Sequence, residues 1–252
     1  MNFSFSAELQ SSRPLILIID SQSITAQILL FQIKVMAPKL SLVYFPVRAR
    51  GEAARMIMAY GEIPYTDTIV EFADFATWKS SGKLPFGQLP VLEVDDTIIS
   101  QSGAIHRYLA GLVSKHDFIP KDPVKAALAD ALHETAQDLF KIMPIVNMYK
   151  GDQWKQEKED YFTKALPTKL PALVKMLGDQ SYFCGDAPTY ADFALHTIMD
   201  LVRLVEPGVV SQHANIAGWM TRVEQLPGVK EYVESRPDCV DIGVAPKQQK
   251  KN

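Results

Sequence analysis

Pro85-Phe86-Gly87-Gln88-Leu89-Pro90-Val91-Leu92, followed by Gln101-Ser102-Gly103-Ala104-Ile105, is the stretch from which the rest of the chain can be read. Its first segment sets a proline directly before an apolar run, Val91 to Val94, that reads as a strand. A proline at a strand entrance removes one ladder donor, which frees the preceding residue, Leu89, to turn its own N–H and C=O toward a ligand. A cis Leu89-Pro90 bond would fix that turn. The second segment puts a polar pair at the start of an apolar-periodic helix, residues 105–113. A helix beginning at Gln101-Ser102 offers free backbone N–H groups, a hydroxyl and a positive dipole end to a carboxylate. Together the segments describe a pocket that grips both the backbone and the carboxylate of a small acidic peptide.

Upstream, residues 39–45 read as a strand and 50–60 as a helix with Ala53, Ala54, Ile57 and Met58 on one face, ended at Gly61. A second strand is expected over 65–70, a short helix or turn over 72–79, and a hairpin of 91–94 with 98–100 around Asp95-Asp96. The order β-α-β-α-β-β-α is that of a thioredoxin-like domain. Residues 115–123, polar with two prolines, suit a linker. Beyond it only helices are read, over 124–149, 153–177, 190–204, 212–225 and 229–235. Thr189-Tyr190-Ala191-Asp192 reads as a capping box, a hydroxyl answered three residues later by an acid. The expected fold class is an α/β N-terminal thioredoxin-like domain, residues 38–115, joined to an all-α C-terminal helical domain, residues 122–240. Residues 1–37 are expected to be an extension outside the fold, with Met36-Ala37-Pro38-Lys39 a natural domain start, and residues 241–252 a polar tail.

The order strand, proline, strand, turn, Gln-Ser, helix resembles the glutathione site of the glutathione S-transferases. The opening Leu42-Val43-Tyr44-Phe45-Pro46-Val47-Arg48-Ala49-Arg50-Gly51-Glu52 sharpens the likeness. It resembles the sigma class, in which a strand ends in Tyr-Phe and an Arg-Gly-Arg-Ala-Glu helix start follows; here Ala49 and Gly51 stand in swapped order. The resemblance runs over residues 39–237 and implies the two-domain architecture of that family, with glutathione as co-substrate. By itself Tyr44 reads better as an edge-strand aromatic, in line with the β propensity of tyrosine. The resemblance makes it the hydroxyl that hydrogen-bonds the glutathione sulfur and lowers the thiol pKa, supported electrostatically by Arg50.

The same likeness assigns the other site residues. Leu89, ahead of Pro90, is expected to bind the cysteinyl backbone of glutathione, and Gln101 and Ser102 its γ-glutamyl carboxylate. Gln88 and Lys83 are expected at the glycyl end, with Lys79 the alternative lysine and Trp78 beside them. Asp138 matches an acid that reaches the γ-glutamyl amine in the neighbouring subunit, so a homodimer is implied. Met143, Ile145, Met148 and Tyr149 are expected to form a soft wall for a hydrophobic electrophile, or equally to be core. The prostaglandin D synthase branch carries a tryptophan where Ile145 stands, which makes that isomerase the lesser reading. A glutathione-binding or apolar-ligand-binding protein without turnover, as in lens crystallins related to sigma enzymes, is the rival. Peroxide reduction by the same thiolate is a further expectation.

Bulk properties exclude other classes. The 252 residues are 47% hydrophobic and 22% charged, with a net charge of −3 and both signs interspersed, which argues against nucleic-acid or polybasic membrane partners. The apolar runs 15–19 and 24–35 are split by Asp20-Ser21-Gln22-Ser23 and neither reaches the ~20 residues of a membrane span. Neither a signal peptide nor a mitochondrial presequence fits the first 37 residues, so a cytoplasmic protein is expected. The two cysteines, Cys184 and Cys239, form no CxxC and read as free thiols. His106, His116, His133, His196 and His213 show no metal-ligand spacing, and no metal is expected. A thioredoxin or glutaredoxin would carry a cysteine where Pro46-Val47-Arg48 stands, so disulfide exchange is not expected.

Overall fold

A computed structural model of the chain describes residues 38–115 and 117–237. The expected N-terminal extension, the C-terminal tail and Cys239 lie outside them. The sheet has four strands, β1 (Leu40–Tyr44), β2 (Thr66–Ile69), β3 (Val91–Val94) and β4 (Thr97–Ser100), in the order β2-β1-β3-β4. β1 runs parallel to β2, with Tyr44 opposite Ile69, and antiparallel to β3, with Leu42 opposite Leu92. Alternation along β1 serves both faces of the sheet. Leu40, Leu42 and Tyr44 join the main core, while Val43 packs with Val70, Leu84 and Val91 in a smaller cluster.

Helix α1 (Ala49–Gly61) follows β1, and the crossover to the parallel β2 completes a β-α-β unit. It stops where Glu62 turns left-handed, at a φ of 53°. A short α2 (Phe75–Ser80) and α3 (Ser102–Leu112) complete this half, with α3 packed against α1. Helices then take over, as the alternating and helical periodicities predict: α4 (Pro123–Asp138), α5 (Ile142–Asn147), α6 (Gly151–Asp160), α7 (Leu170–Leu177), α8 (Tyr190–Val205), α9 (Pro207–Ser211), α10 (Ala214–Glu224) and α11 (Val229–Ser235).

Two long helices of the sequence reading are broken. Residues 124–149 divide at a 3₁₀ turn, Leu139–Lys141, because Pro144 has no N–H to continue the ladder. Residues 153–177 divide at a π turn, Tyr161–Ala165, and a 3₁₀ turn, Leu166–Thr168, which accommodate Pro167 ahead of Pro171 in the first turn of α7. α9 was not read from the sequence; its Pro207 opens it in the same way.

α8 is buried on nearly every side and is the axis of the helical half. It packs against α4 on one flank and α1 on another. There Tyr60 of α1, Phe118 and Phe193 of α8 form an aromatic triangle with centroids 5.3–5.5 Å apart. A second join is ionic and almost fully buried. Glu52 of α1 meets Arg236 and the hydroxyl of Tyr232, and Arg236 in turn meets Asp200 of α8 at 2.9 Å. Arg48 approaches the same Asp200 at 3.4 Å. Burial pushes the Asp200 carboxyl up, but His196, Arg236 and Arg203 together hold it below its ordinary value.

Candidate active site

The end of β1, the Leu89-Pro90 turn and the start of α3 converge on one cleft of about 430 Å³. Leu89-Pro90 is the one cis peptide bond among the described residues. Gln88, Leu89 and Pro90 line the cleft together with Ser100, Gln101 and Ser102, which the β3–β4 pairing of Val91 with Ser100 brings beside them. Gln101 stands at the N-cap of α3 with a φ of 72° and a ψ of 119°, a conformation that costs a non-glycine residue of order 1–3 kcal/mol and is typical of functional positions. Its side chain makes no capping bond and is exposed, whereas Ser102 is buried. The Ser100 hydroxyl is buried without a hydrogen-bond partner among the described residues.

Arg50 supplies the positive charge of the cleft. Its guanidinium bonds the Gln137 side chain and lies 3.9 Å over the Phe140 ring, so the helical half holds a side chain that α1 presents. Desolvation pulls Arg50 below its ordinary value, opposed by Tyr44. Tyr44 is not among the residues that line the cleft; it is only 2% exposed, and its hydroxyl accepts the Arg50 backbone N–H at 3.2 Å. Burial pushes this phenol up to about 12, against the lowering influence of that N–H and of the Arg50 and Arg55 charges. The group therefore stays protonated near neutral pH and is a hydrogen-bond donor, not a base.

The remaining wall is aromatic: Phe45, Phe75 and Phe86. Phe45 stacks on Phe72 with centroids 4.7 Å apart and meets Phe75 edge-on at 5.1 Å. Sequence reasoning placed Trp78 and Lys83 here. Trp78 packs against the small cluster around Val43, Val70, Leu84 and Val91, with the Lys83 ammonium 5.8 Å over its ring. Phe75, one turn earlier on α2, packs against the same cluster and also lines the cleft. Lys79, the alternative lysine, runs its side chain along Gly87 in the turn below the cleft. The signal for Phe75 was available as an aromatic at three-residue spacing from Trp78, but spacing alone did not say which of the two faces the cleft.

Asp138 is exposed at the C-terminal end of α4 and pairs with Lys169 at 2.8 Å. The four candidates for an electrophile wall are spread apart in environment. Ile145 is 1% exposed, within the core, and its carbonyl accepts the Trp154 indole N–H at 2.9 Å. Met143 and Tyr149 are half-buried against the core, and Met148 is 63% exposed. Cys184 has no sulfur partner among the described residues. Among those residues no helix is long and apolar enough to cross a membrane.

The glutathione S-transferase N-terminal domain family matches residues 39–111, and the glutathione S-transferase C-terminal domain family matches residues 138–236. The chain is 34% identical over 204 residues to hematopoietic prostaglandin D synthase of Gallus gallus, a match covering 79% of this chain and 98% of that protein. It is 29% identical to glutathione S-transferase 1 of Ascaris suum, over 79% and 98% of the two chains. The solved structure of rat hPGDS complexed with a quinoline superimposes with a TM-score of 0.71 at 30% identity, covering 80% of this chain and 98% of that one. A mixed four-stranded sheet, a cleft at the pre-proline turn and an all-helical second half thus go with matches in both halves, and the chain belongs to the glutathione S-transferase family.

Proposed function

We propose that this member of the family is a sigma-like glutathione transferase that joins the glutathione thiolate to hydrophobic electrophiles. The observations that support the reading are the meeting of Leu89, Gln101, Ser102 and Arg50 in one cleft and the bond from the Arg50 backbone N–H to the protonated Tyr44 hydroxyl. In this mechanism the exposed N-terminus of α3 and the Ser102 hydroxyl receive the γ-glutamyl carboxylate. The Leu89 main chain pairs with the cysteinyl residue as a short antiparallel clamp. Gln88 serves the glycyl end with Lys83, or Lys79 as the alternative, and with Trp78 beside them and Phe75 in the cleft wall. Tyr44 donates its O–H to the sulfur, which stabilises thiolate over thiol, and Arg50 adds positive charge to the same wall. The thiolate attacks the electrophilic carbon, a carbon–sulfur bond forms, and the leaving group departs with the bonding pair. In the proposal the active form is a cytoplasmic homodimer, in which Asp138 exchanges its exposed Lys169 pair for the amine of glutathione in the neighbouring subunit.

A glutathione-dependent isomerase of the prostaglandin D synthase type is the second reading, favoured by the names of several similar proteins. It meets a core isoleucine at 145, where that branch carries a tryptophan. The deciding experiment is conjugation of glutathione to a chloro-nitro-aromatic acceptor as pH is varied, with wild type beside Tyr44→Phe. Retained glutathione binding, turnover lowered by about 10–100-fold and a pH profile moved upward are expected. An identical rate and profile in the variant would remove Tyr44 from this role. Glutathione binding without conjugation, together with prostaglandin D formation, would turn the assignment to the isomerase.

A further inference from the structure

We infer that Gly51 positions Tyr44 in this chain, its missing Cβ setting how closely the tyrosine ring seats against α1. The inference rests on Tyr44 acting on the thiol. Its observation is steric. A Cβ at position 51 would lie 2.5 Å from Cδ1 and 3.2 Å from Cε1 of Tyr44, and 3.2 Å from Nη1 of Arg55. Neither neighbour has room to yield. Tyr44 is 2% exposed, and Arg55 is tied to Asp67 at 2.8 and 3.2 Å and to the Val47 carbonyl at 2.9 Å. The Arg55 guanidinium lies 5.9 Å from the centre of the tyrosine ring, and Phe45 lies 5.6 Å from it, so the ring is enclosed on several sides.

Two residues before Gly51, Ala49 holds a φ of 32° while 1% exposed. That is left-handed backbone, which glycine enters without the steric cost an alanine bears. Glycine stands instead at 51, inside α1, where it costs about 1 kcal/mol relative to alanine. Backbone preference is thus violated at both positions in opposite senses. At 51 the gain is clearance for the Tyr44 ring. The consequence for chemistry is the reach of the hydroxyl, which meets the Arg50 N–H at 3.2 Å at the mouth of α1. Arg50 and Arg55, both from α1, are the charged groups that face the phenol.

The test compares wild type, Tyr44→Phe, Gly51→Ala and Ala49→Gly for glutathione affinity, conjugation rate as a function of pH, and melting temperature. Gly51→Ala is expected to keep glutathione Kd within about twofold, lower kcat on the order of tenfold and move the pH of half-maximal turnover upward. In a Tyr44→Phe background the same substitution leaves the pH profile where Tyr44→Phe put it. Ala49→Gly raises the melting temperature and leaves the profile unchanged. If Gly51→Ala does not fold, the double variant A49G/G51A carries the same Cβ on a relaxed backbone and must show the same displaced profile. A wild-type profile in either Gly51 variant, with Tyr44→Phe impaired, overturns the positioning role and leaves Tyr44 in place. A Tyr44→Phe enzyme indistinguishable from wild type overturns both.

Discussion

Asp192 and the pair Gln101-Ser102 both stand at the N-terminus of a buried helix, α8 and α3. At Asp192 the protein supplies every partner. The carboxylate, fully buried, accepts from the Thr189 backbone N–H and hydroxyl at 2.8 and 2.9 Å, the Phe183 N–H at 3.2 Å and the Trp219 indole at 2.9 Å. The acid that began as a capping residue thereby ties a loop and α10 to the start of α8. At Gln101-Ser102 the same parts are left open. Gln101 makes no cap bond, the Ser100 hydroxyl has no partner among the described residues, and the helix start opens into the cleft. A buried polar group that is fully satisfied stabilises the fold, whereas one left unsatisfied at a cleft costs stability until a ligand completes it.

The largest expected effect comes from breaking the completed cluster. Asp192→Ala leaves its buried donors unanswered and should cost about 3–5 kcal/mol in chemical denaturation. A loss below 1 kcal/mol would mean that water replaces the carboxylate and that the cluster is not the closed structure described above.

The His106–His133 pair lies between the two extremes. It joins α3 to α4 at 3.0 Å in the interior; the His106 Nε2 makes no hydrogen bond among the described residues, and the His133 Nδ1 lies 3.5 Å from the Glu134 carboxylate. Burial pushes His106 down to about 3, helped by His133 and Arg107, and pulls His133 down as well. Arg107, Arg50, Asp130 and Glu134 are the charged groups around the pair. The folded-state pKa lies below the unfolded value, so the unfolded chain binds more protons as pH falls. The contribution is whole above about 6.5 and is lost as pH drops from there toward the folded value, on the order of 2 kcal/mol by pH 5. Thermal melting at pH 7 and pH 5 should show this, and His106→Asn should flatten the difference. An unchanged slope in the variant would assign the acid sensitivity to carboxylates such as Asp200 and Glu224.

The smallest effect is expected at the open end. Ser102→Ala should weaken glutathione binding about fivefold, ~1 kcal/mol, by calorimetry, while the melting temperature without glutathione stays close to wild type. A large loss of stability in the absence of ligand would show that Ser102 belongs with Asp192 and not with the cleft.

Much of this was legible in the sequence. The Pro85 to Leu92 stretch, the Gln-Ser pair and the order of strands and helices prescribe the architecture, and Thr189-Asp192 prescribes the cap of α8, because these are local rules of backbone chemistry. The breaks at Pro144 and Pro167 were also written locally, although a sustained apolar period masked them. What faces what was not legible. Phe75 and Trp78 satisfy the same periodicity and both pack against the cluster around Val43, and only the tertiary structure shows that Phe75 also lines the cleft.

The sequence by itself determined that strands, turn and helix start would meet at Leu89 and Ser102, since proline, capping residues and periodicity act over a few residues. The tertiary structure decided that Asp192 would also hold Phe183 and Trp219, that Gln137 and Phe140 would hold Arg50, and that a missing Cβ at 51 would receive the Tyr44 ring. Those are contacts between residues distant along the chain or between packed surfaces, and their geometry exists only once the elements close on one another.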